Sequence, residues 1–270
     1  MLYQQYYRAL SETQPQLFVY ENVRGLLSMA HGKLFEEVQR LFSSLGYKVQ
    51  AKVLNAADYG VPQVRERVIV VGTRDGLKFE YPSPTHASSQ DSHLDLFSMP
   101  LAKHITVGEA LGDLPLIRAG ESGLEYWKEP QNDYQKMMRE GSPLIIQNHN
   151  APTHGETLMR VIRNVPEGGL KNDIPEEFRP KSGFPNSYGR LWWDKPSTTI
   201  TRNFGTPSSA RCIHPKCDRA LTTREGARLQ SFPDHWRFFG SRAKMNLQIG
   251  NAVPPLLAYA IARQIKKALA

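Results

Sequence analysis

The chain has 270 residues and a net charge of +8, from 34 Lys+Arg against 26 Asp+Glu, which is long enough for one large domain or two smaller ones with a substantial core. Hydrophobic residues make up 40% but never form the ~18-residue apolar run of a bilayer span, and 10% aromatic residues exclude a wholly disordered chain. Two cysteines are too few for a disulfide scaffold and no signal-peptide pattern opens the sequence, so a reduced, soluble, cytoplasmic protein without membrane association is expected.

Leu17-Phe18-Val19-Tyr20 is a short apolar run after Pro15 and predicts a buried strand. Leu34, Phe35, Val38, Leu41, Phe42 and Leu45 then recur at helical spacing, with Gly46 as the stop. Lys48 to Leu54 predicts a second strand and Val68 to Val71 a third, the last a β-branched run of the kind buried on both faces. Strand, helix, strand, turn, strand predicts an α/β layer, half of a doubly wound sheet. From about Thr73 to Asn186 the periodic segments shorten and Pro, Ser, Asn, Gln and His rise, as in Pro82 to Gln90, so loops and a smaller irregular domain are expected. Leu256 to Leu269, after Pro254-Pro255, predicts a helix whose Leu257, Ile261 and Ile265 share one face and pack back on a core. The division expected is 1–75, 76–240 and 241–270.

Positive charge concentrates between Lys171 and Lys244, where fourteen Lys/Arg stand against seven Asp/Glu, a net +7. Such a field suits a polyanion such as nucleic acid, or a solubilising surface. Glu21-Asn22-Val23 directly follows the first strand, where ligands of doubly wound sheets bind and where helix N-terminal acids also sit. In Gln63-Val64-Arg65-Glu66-Arg67, extended backbone puts Gln63, Arg65 and Arg67 on one face. Their guanidiniums either pair with acids such as Glu21 or grip a phosphate or base edge. Cys212, His214 and Cys217 fall short of the four N/S ligands of structural zinc, and Trp192-Trp193 reads as packing or as a stacking platform.

Together these segments resemble the DNA (cytosine-5) methyltransferases. Phe18 to Leu26 is similar to the family's Glu-Asn-Val block, and Leu54 to Arg67 to its next two blocks. Arg190 to Thr201, His214-Pro215 and Leu221 to Asp234 resemble the block before the last, and Gly250-Asn251-Ala252-Val253-Pro254-Pro255 the final one. The family's Phe-x-Gly-x-Gly cofactor loop and Pro-Cys nucleophile loop have no counterpart in the 270 residues, and Cys212 and Cys217 stand in the wrong block.

The resemblance implies the C-terminal half of a Rossmann-like methyltransferase sheet with a smaller target-recognition domain. It implies methyl transfer from S-adenosylmethionine to C5 of a cytosine flipped out of duplex DNA, as in restriction-modification. Glu21 would serve the N3 side of the ring and Arg67, or else Arg65, its O2. Asn251 and Ala252 would close over the cofactor, whose main loop is absent, and Asn22, Gln63, Thr199, Arg202 and Arg211 would meet DNA. Sequence choice would lie in the stretch Thr85 to Asn186. The chain alone is expected to be inactive, to need a second polypeptide carrying the N-terminal half, and otherwise to self-associate through an open sheet edge. A non-catalytic DNA-binding module and an RNA cytosine-5 methyltransferase fragment are the alternatives.

Overall fold

The computed structural model describes residues 2–88, 101–184 and 186–270; residues 89–100, which end the Pro/Ser-rich segment and belong to the stretch assigned to sequence choice, lie outside it. Helix α1 (Leu2–Thr13) precedes strand β1 (Leu17–Val23), helix α2 (Lys33–Ser44), strand β2 (Lys48–Asn55) and strand β3 (Glu66–Thr73). Sheet order is β1-β3-β2, and β3 runs antiparallel to both neighbours. β1 and β2 therefore run the same way, joined through α2 as in a wound sheet. β3 is inserted between them in the opposite sense, a reversal that the run Val68 to Val71 does not announce. All four of those residues have no exposed surface, because period-two alternation sends each pair into a different layer. Val68 and Val70 meet α1 and α2, while Ile69 and Val71 meet Leu257 and Ile261 of helix α8 (Pro255–Leu269).

The first layer is aromatic. Phe18 lies opposite Gly72 in the register and stands edge-on to Phe42 and Tyr47, with ring centroids 5.1 and 4.9 Å away. Its ring crosses the Gly72 backbone, so a Cβ there would lie 2.0 Å from it. β1 is an edge strand, and the Tyr6 hydroxyl donates to the Val19 carbonyl at 2.7 Å.

Beyond the sheet come a two-residue pair β4 (His86–Ala87) and β5 (Ala102–Lys103), then α3 (Val107–Leu111), α4 (Asp133–Arg139), α5 (Glu156–Arg163), α6 (Thr223–Leu229) and α7 (Arg242–Asn251). A second core joins Leu111, Met138 and Ile146 to Leu191, Phe204, Leu229 and Ile249. At its centre α6 is buried along its whole length, although its sequence is polar. Thr222 and Glu225 form a capping box, Arg219 makes two 2.8 Å bonds to the Glu225 carboxylate, and Arg228 pairs with both Asp113 and Asp234. Each of these charges has lost water, so each needs a partner on the spot. Against that cluster the His214 ring is buried; its Nδ1 accepts from the Lys216 N–H at 3.1 Å, and burial pushes its pKa down to about 4. No described helix is long and apolar enough to cross a membrane.

Gly72→Ala should cost about 1–3 kcal/mol by overpacking, and less in a Phe18→Leu background; equal costs in both, measured by urea unfolding, would exclude the ring contact as the cause. His214 predicts a pH dependence as well. An unfolded histidine titrates near its ordinary 6.5 and the folded one at about 4, so between these values the unfolded chain binds the extra proton. Stability should fall, on the order of 3 kcal/mol from this group, as pH drops from about 6.5 to about 4. His214→Gln should flatten that part of the urea-midpoint profile, and an unchanged slope would refute the assignment.

Candidate functional site

Strand pairing builds the first part of the site. Val23 lies opposite Arg67 and Glu21 opposite Ile69, so Glu21 and Arg67 emerge on the same face of the sheet, the one that α8 covers further along. Glu21 Oε1 lies 2.9 Å from Arg67 Nε, with side-chain exposures of 28% and 12%. Arg67 also donates from Nη1 to the Glu66 carbonyl at 2.7 Å. Burial lowers its pKa from the ordinary guanidinium value, with Glu21 opposing the shift. Asn22 points to the other face, where its amide donates to the Tyr20 hydroxyl at 2.9 Å and its Oδ1 accepts from the Val23 N–H.

The segment before β3 is knitted to the second core. Ser197 N–H donates to the Pro62 carbonyl at 3.0 Å, Val64 N–H to the Ser197 carbonyl at 2.8 Å, and the Thr199 hydroxyl to the Val64 carbonyl at 2.9 Å. Arg65 is 2% exposed. Its Nη1 donates to the Ile200 carbonyl at 3.0 Å, and its Nη2 to those of Gly250 at 2.9 Å and Ala252 at 3.1 Å. Burial, with Arg67 adding repulsion, lowers it to about 10, and its Nε is buried with no hydrogen-bond partner among the described residues. Arg65 thus stands beside the Glu21–Arg67 pair but is spent on protein carbonyls.

Three residues expected at the ligand are engaged by the protein itself. Arg65, the alternative to Arg67 at the base, is bonded as just described. Gln63, expected to meet DNA, has no exposed surface; its amide donates to the Leu229 carbonyl and Gln230 Oε1 and accepts from the Ile200 N–H. Arg211, also assigned to DNA, donates to the carbonyls of Gly168 at 2.8 Å and Arg190 at 2.6 Å and lies over the Trp192 ring, 4.1 Å from its centroid. The physical reason is shared. Chain without helix or strand leaves buried carbonyls unpaired, and a guanidinium fork or amide satisfies several at once. The positive field between Lys171 and Lys244 shrinks accordingly, because Arg190, Arg219, Arg224 and Arg228 are all buried and paired.

Arg202 and Asn251 are exposed, Arg202 on a turn laid against α7 and Asn251 at the last residue of that helix. Ala252 follows, its carbonyl held by Arg65. The structure therefore brings Glu21, Arg67, Arg65, Thr199 and Ala252 into one bonded neighbourhood and leaves Asn22 and Arg211 outside it. Cys212 is fully buried, and burial raises the pKa of both cysteines, so neither thiol is disposed to ionise. Trp192 and Trp193 pack against Gly168 and Gly108, where a Cβ would lie 2.1 and 2.6 Å from the indole nitrogens. The sequence reading passed over Arg242 and Asn246, which line a cavity with Arg202; about forty residues separate the turn from the helix, and no spacing links them.

A family model, the C-5 cytosine-specific DNA methylase, matches residues 1–267. The chain is 39% identical to the type II methyltransferase M1.HphI of Haemophilus parahaemolyticus over 98% of its own length and 60% of that protein's. It is 31% identical to M.AgeI of Thalassovita gelatinovora over 99% of its length and 77% of the relative's. Among solved structures, a protein encoded within an Escherichia coli prophage and described as a DNA modification methyltransferase superposes with a TM-score of 0.73 at 25% identity, covering 99% of this chain and 74% of the other. The chain thus spans about 60% of the length of M1.HphI. These relatives hold the matched region within one longer protein, and none supplies an instance of the expected second polypeptide. With the matched region running through almost every residue, the chain belongs to the C-5 cytosine-specific DNA methylase family.

Proposed function

We propose that this chain forms the base-holding and target-recognition part of a DNA cytosine-5 methyltransferase. The Glu21–Arg67 pair carries the reading. A cytosine attacked at C6 gathers charge over N3 and O2, so it needs a hydrogen-bond donor at N3 and a fixed cation at O2. The Glu21 carboxyl serves N3, and Arg67, already oriented by Glu21 and the Glu66 carbonyl, serves O2 without reorganising. Such a base must first leave the duplex, at a cost of a few kcal/mol that these contacts offset.

S-adenosylmethionine, when bound, supplies the methyl group. The donors here fit only one edge of such a cofactor: the exposed Asn251 amide and the backbone at Ala252, whose carbonyl is already engaged. The Phe-x-Gly-x-Gly loop and the nucleophilic thiol would come from sequence outside these 270 residues, joined to the chain or docked on it as a second polypeptide. The outer edge of β1 is where such a segment would extend the sheet, and where the chain would self-associate in its absence. Thr199 and Arg202 are assigned to DNA backbone, residues 76–240 to target recognition in the main, and the cell interior to the site of action.

The 270-residue chain, given duplex DNA and tritiated S-adenosylmethionine, should transfer no methyl above background, because no thiol in it can add to C6. With the complementing segment present, Glu21→Gln should lower turnover about 10²–10⁴-fold while duplex affinity stays near wild type. Transfer by the chain alone, or normal turnover by Glu21→Gln, would overturn the respective assignment.

A further inference from the structure

Between the turn at Thr201–Thr206 and α7 lies a cavity of about 470 Å³ whose lining includes Arg202, Asn203, Gly205, Thr206, Arg242 and Asn246, and no carboxylate. The Arg202 guanidinium is exposed and has no hydrogen-bond or ion-pair partner among the described residues. Arg242 commits only Nη2, to the carbonyls of Asn150 at 3.2 Å and Ala151 at 3.3 Å. Asn246 is 4% exposed. Its Oδ1 accepts from the Thr223 hydroxyl at 2.9 Å, and Nδ2 lies on the cavity side of the residue. A Cβ on Gly205 would stand 2.7 Å from that Nδ2, so the glycine keeps the amide uncovered on the cavity wall.

The two walls are fastened together. A Cβ on Gly250 would lie 2.3 Å from the Arg202 backbone nitrogen, so the turn rests directly on α7. Arg65 draws the Ile200 and Gly250 carbonyls, one from each wall, to a single guanidinium. The donors thus face a space whose shape is held in advance, and donors without counter-charge select an anion.

We propose that this cavity seats a backbone phosphate of the bound duplex, gripped by Arg202 and Arg242 with Asn246 Nδ2 as a third donor. The proposal rests on the DNA reading above and extends it to a group, Arg242 with Asn246, on the helix whose last two residues open the final sequence block. A phosphate held there fixes the register of the duplex and carries no base information, so its loss weakens all sequences alike.

The test measures binding of fluorescent duplexes of two unrelated sequences to the full chain by anisotropy, from about 50 to 200 mM salt. Arg202→Gln and Arg242→Gln should each weaken both duplexes, and the double variant should lower the slope of log Kd against log salt by about one. Arg40→Gln, the same charge change on the exposed side of α2, should do so less. Thermal midpoints check folding; Arg202→Gln, whose side chain has no protein partner, carries the test if Arg242→Gln unfolds. Separately, inorganic phosphate should shift the amide resonances of Asn203, Gly205 and Thr206 in the wild type and not in the double variant. Duplex binding with the same affinity and slope in wild type and variants would overturn the phosphate seat and leave the methyltransferase reading standing. No duplex binding by the wild type, with the phosphate shifts intact, would overturn the DNA assignment of both.

Discussion

Arg65 holds carbonyls from two segments that are fifty residues apart in sequence, Ile200 on one side and Gly250 with Ala252 on the other. Its own backbone leads straight into β3 two residues before Arg67, so the sheet and the second core meet at one guanidinium. Burying that charge is expensive, and the cost is offset by bonds of roughly 1.5–3 kcal/mol each to carbonyls that would otherwise be orphaned. The placement of Thr199, of the turn at Thr201–Thr206 and of the C-terminal end of α7 relative to Glu21 follows from this contact. A lysine there would keep the charge and lose the fork, which is what reaches two walls at once.

The same logic runs through the second core. It is assembled from short helices and irregular chain, with few ladders to absorb backbone polarity, so side chains take over that role. Arg190 binds the carbonyls of Ile162, Val165 and His214, and Arg224 those of Gln147 and Trp236. Asp113, Glu225 and Asp234 neutralise the guanidiniums that lie deepest. Much of the basic character of this stretch is therefore internal scaffolding, and the cations left for a polyanion are fewer and more localised than the composition suggests. That localisation gives the pocket between Arg202 and Arg242 its interest, since its positive charge is not consumed by the fold.

Glu21 and Arg67 show how a half-exposed pair can be both ordered and available. Each strand contributes one partner, and antiparallel register with period-two alternation points both the same way. The pair holds its own geometry through a 2.9 Å contact, so the carboxyl and the cation are fixed relative to each other while both keep some exposed surface.

Several features follow from local sequence alone. The three strands and the helices α2 and α8 are legible because periodicity and Gly or Pro punctuation are local properties, and the strands extend only a few residues beyond Leu17 to Tyr20, Lys48 to Leu54 and Val68 to Val71. The family blocks are legible for the same reason, and with them the closeness of Glu21 to Arg67. The strand order was not legible, since antiparallel insertion of β3 is decided by which edge lets Val68 and Val70 face one core and Ile69 and Val71 another. Nor were the fates of the polar residues. Gln63, Arg65, Arg202 and Arg211 look alike in sequence, as polar groups beside motif residues; whether each meets solvent or a buried carbonyl depends on which distant loop packs over it, and packing between segments 21 to 187 residues apart leaves no periodic mark on either one.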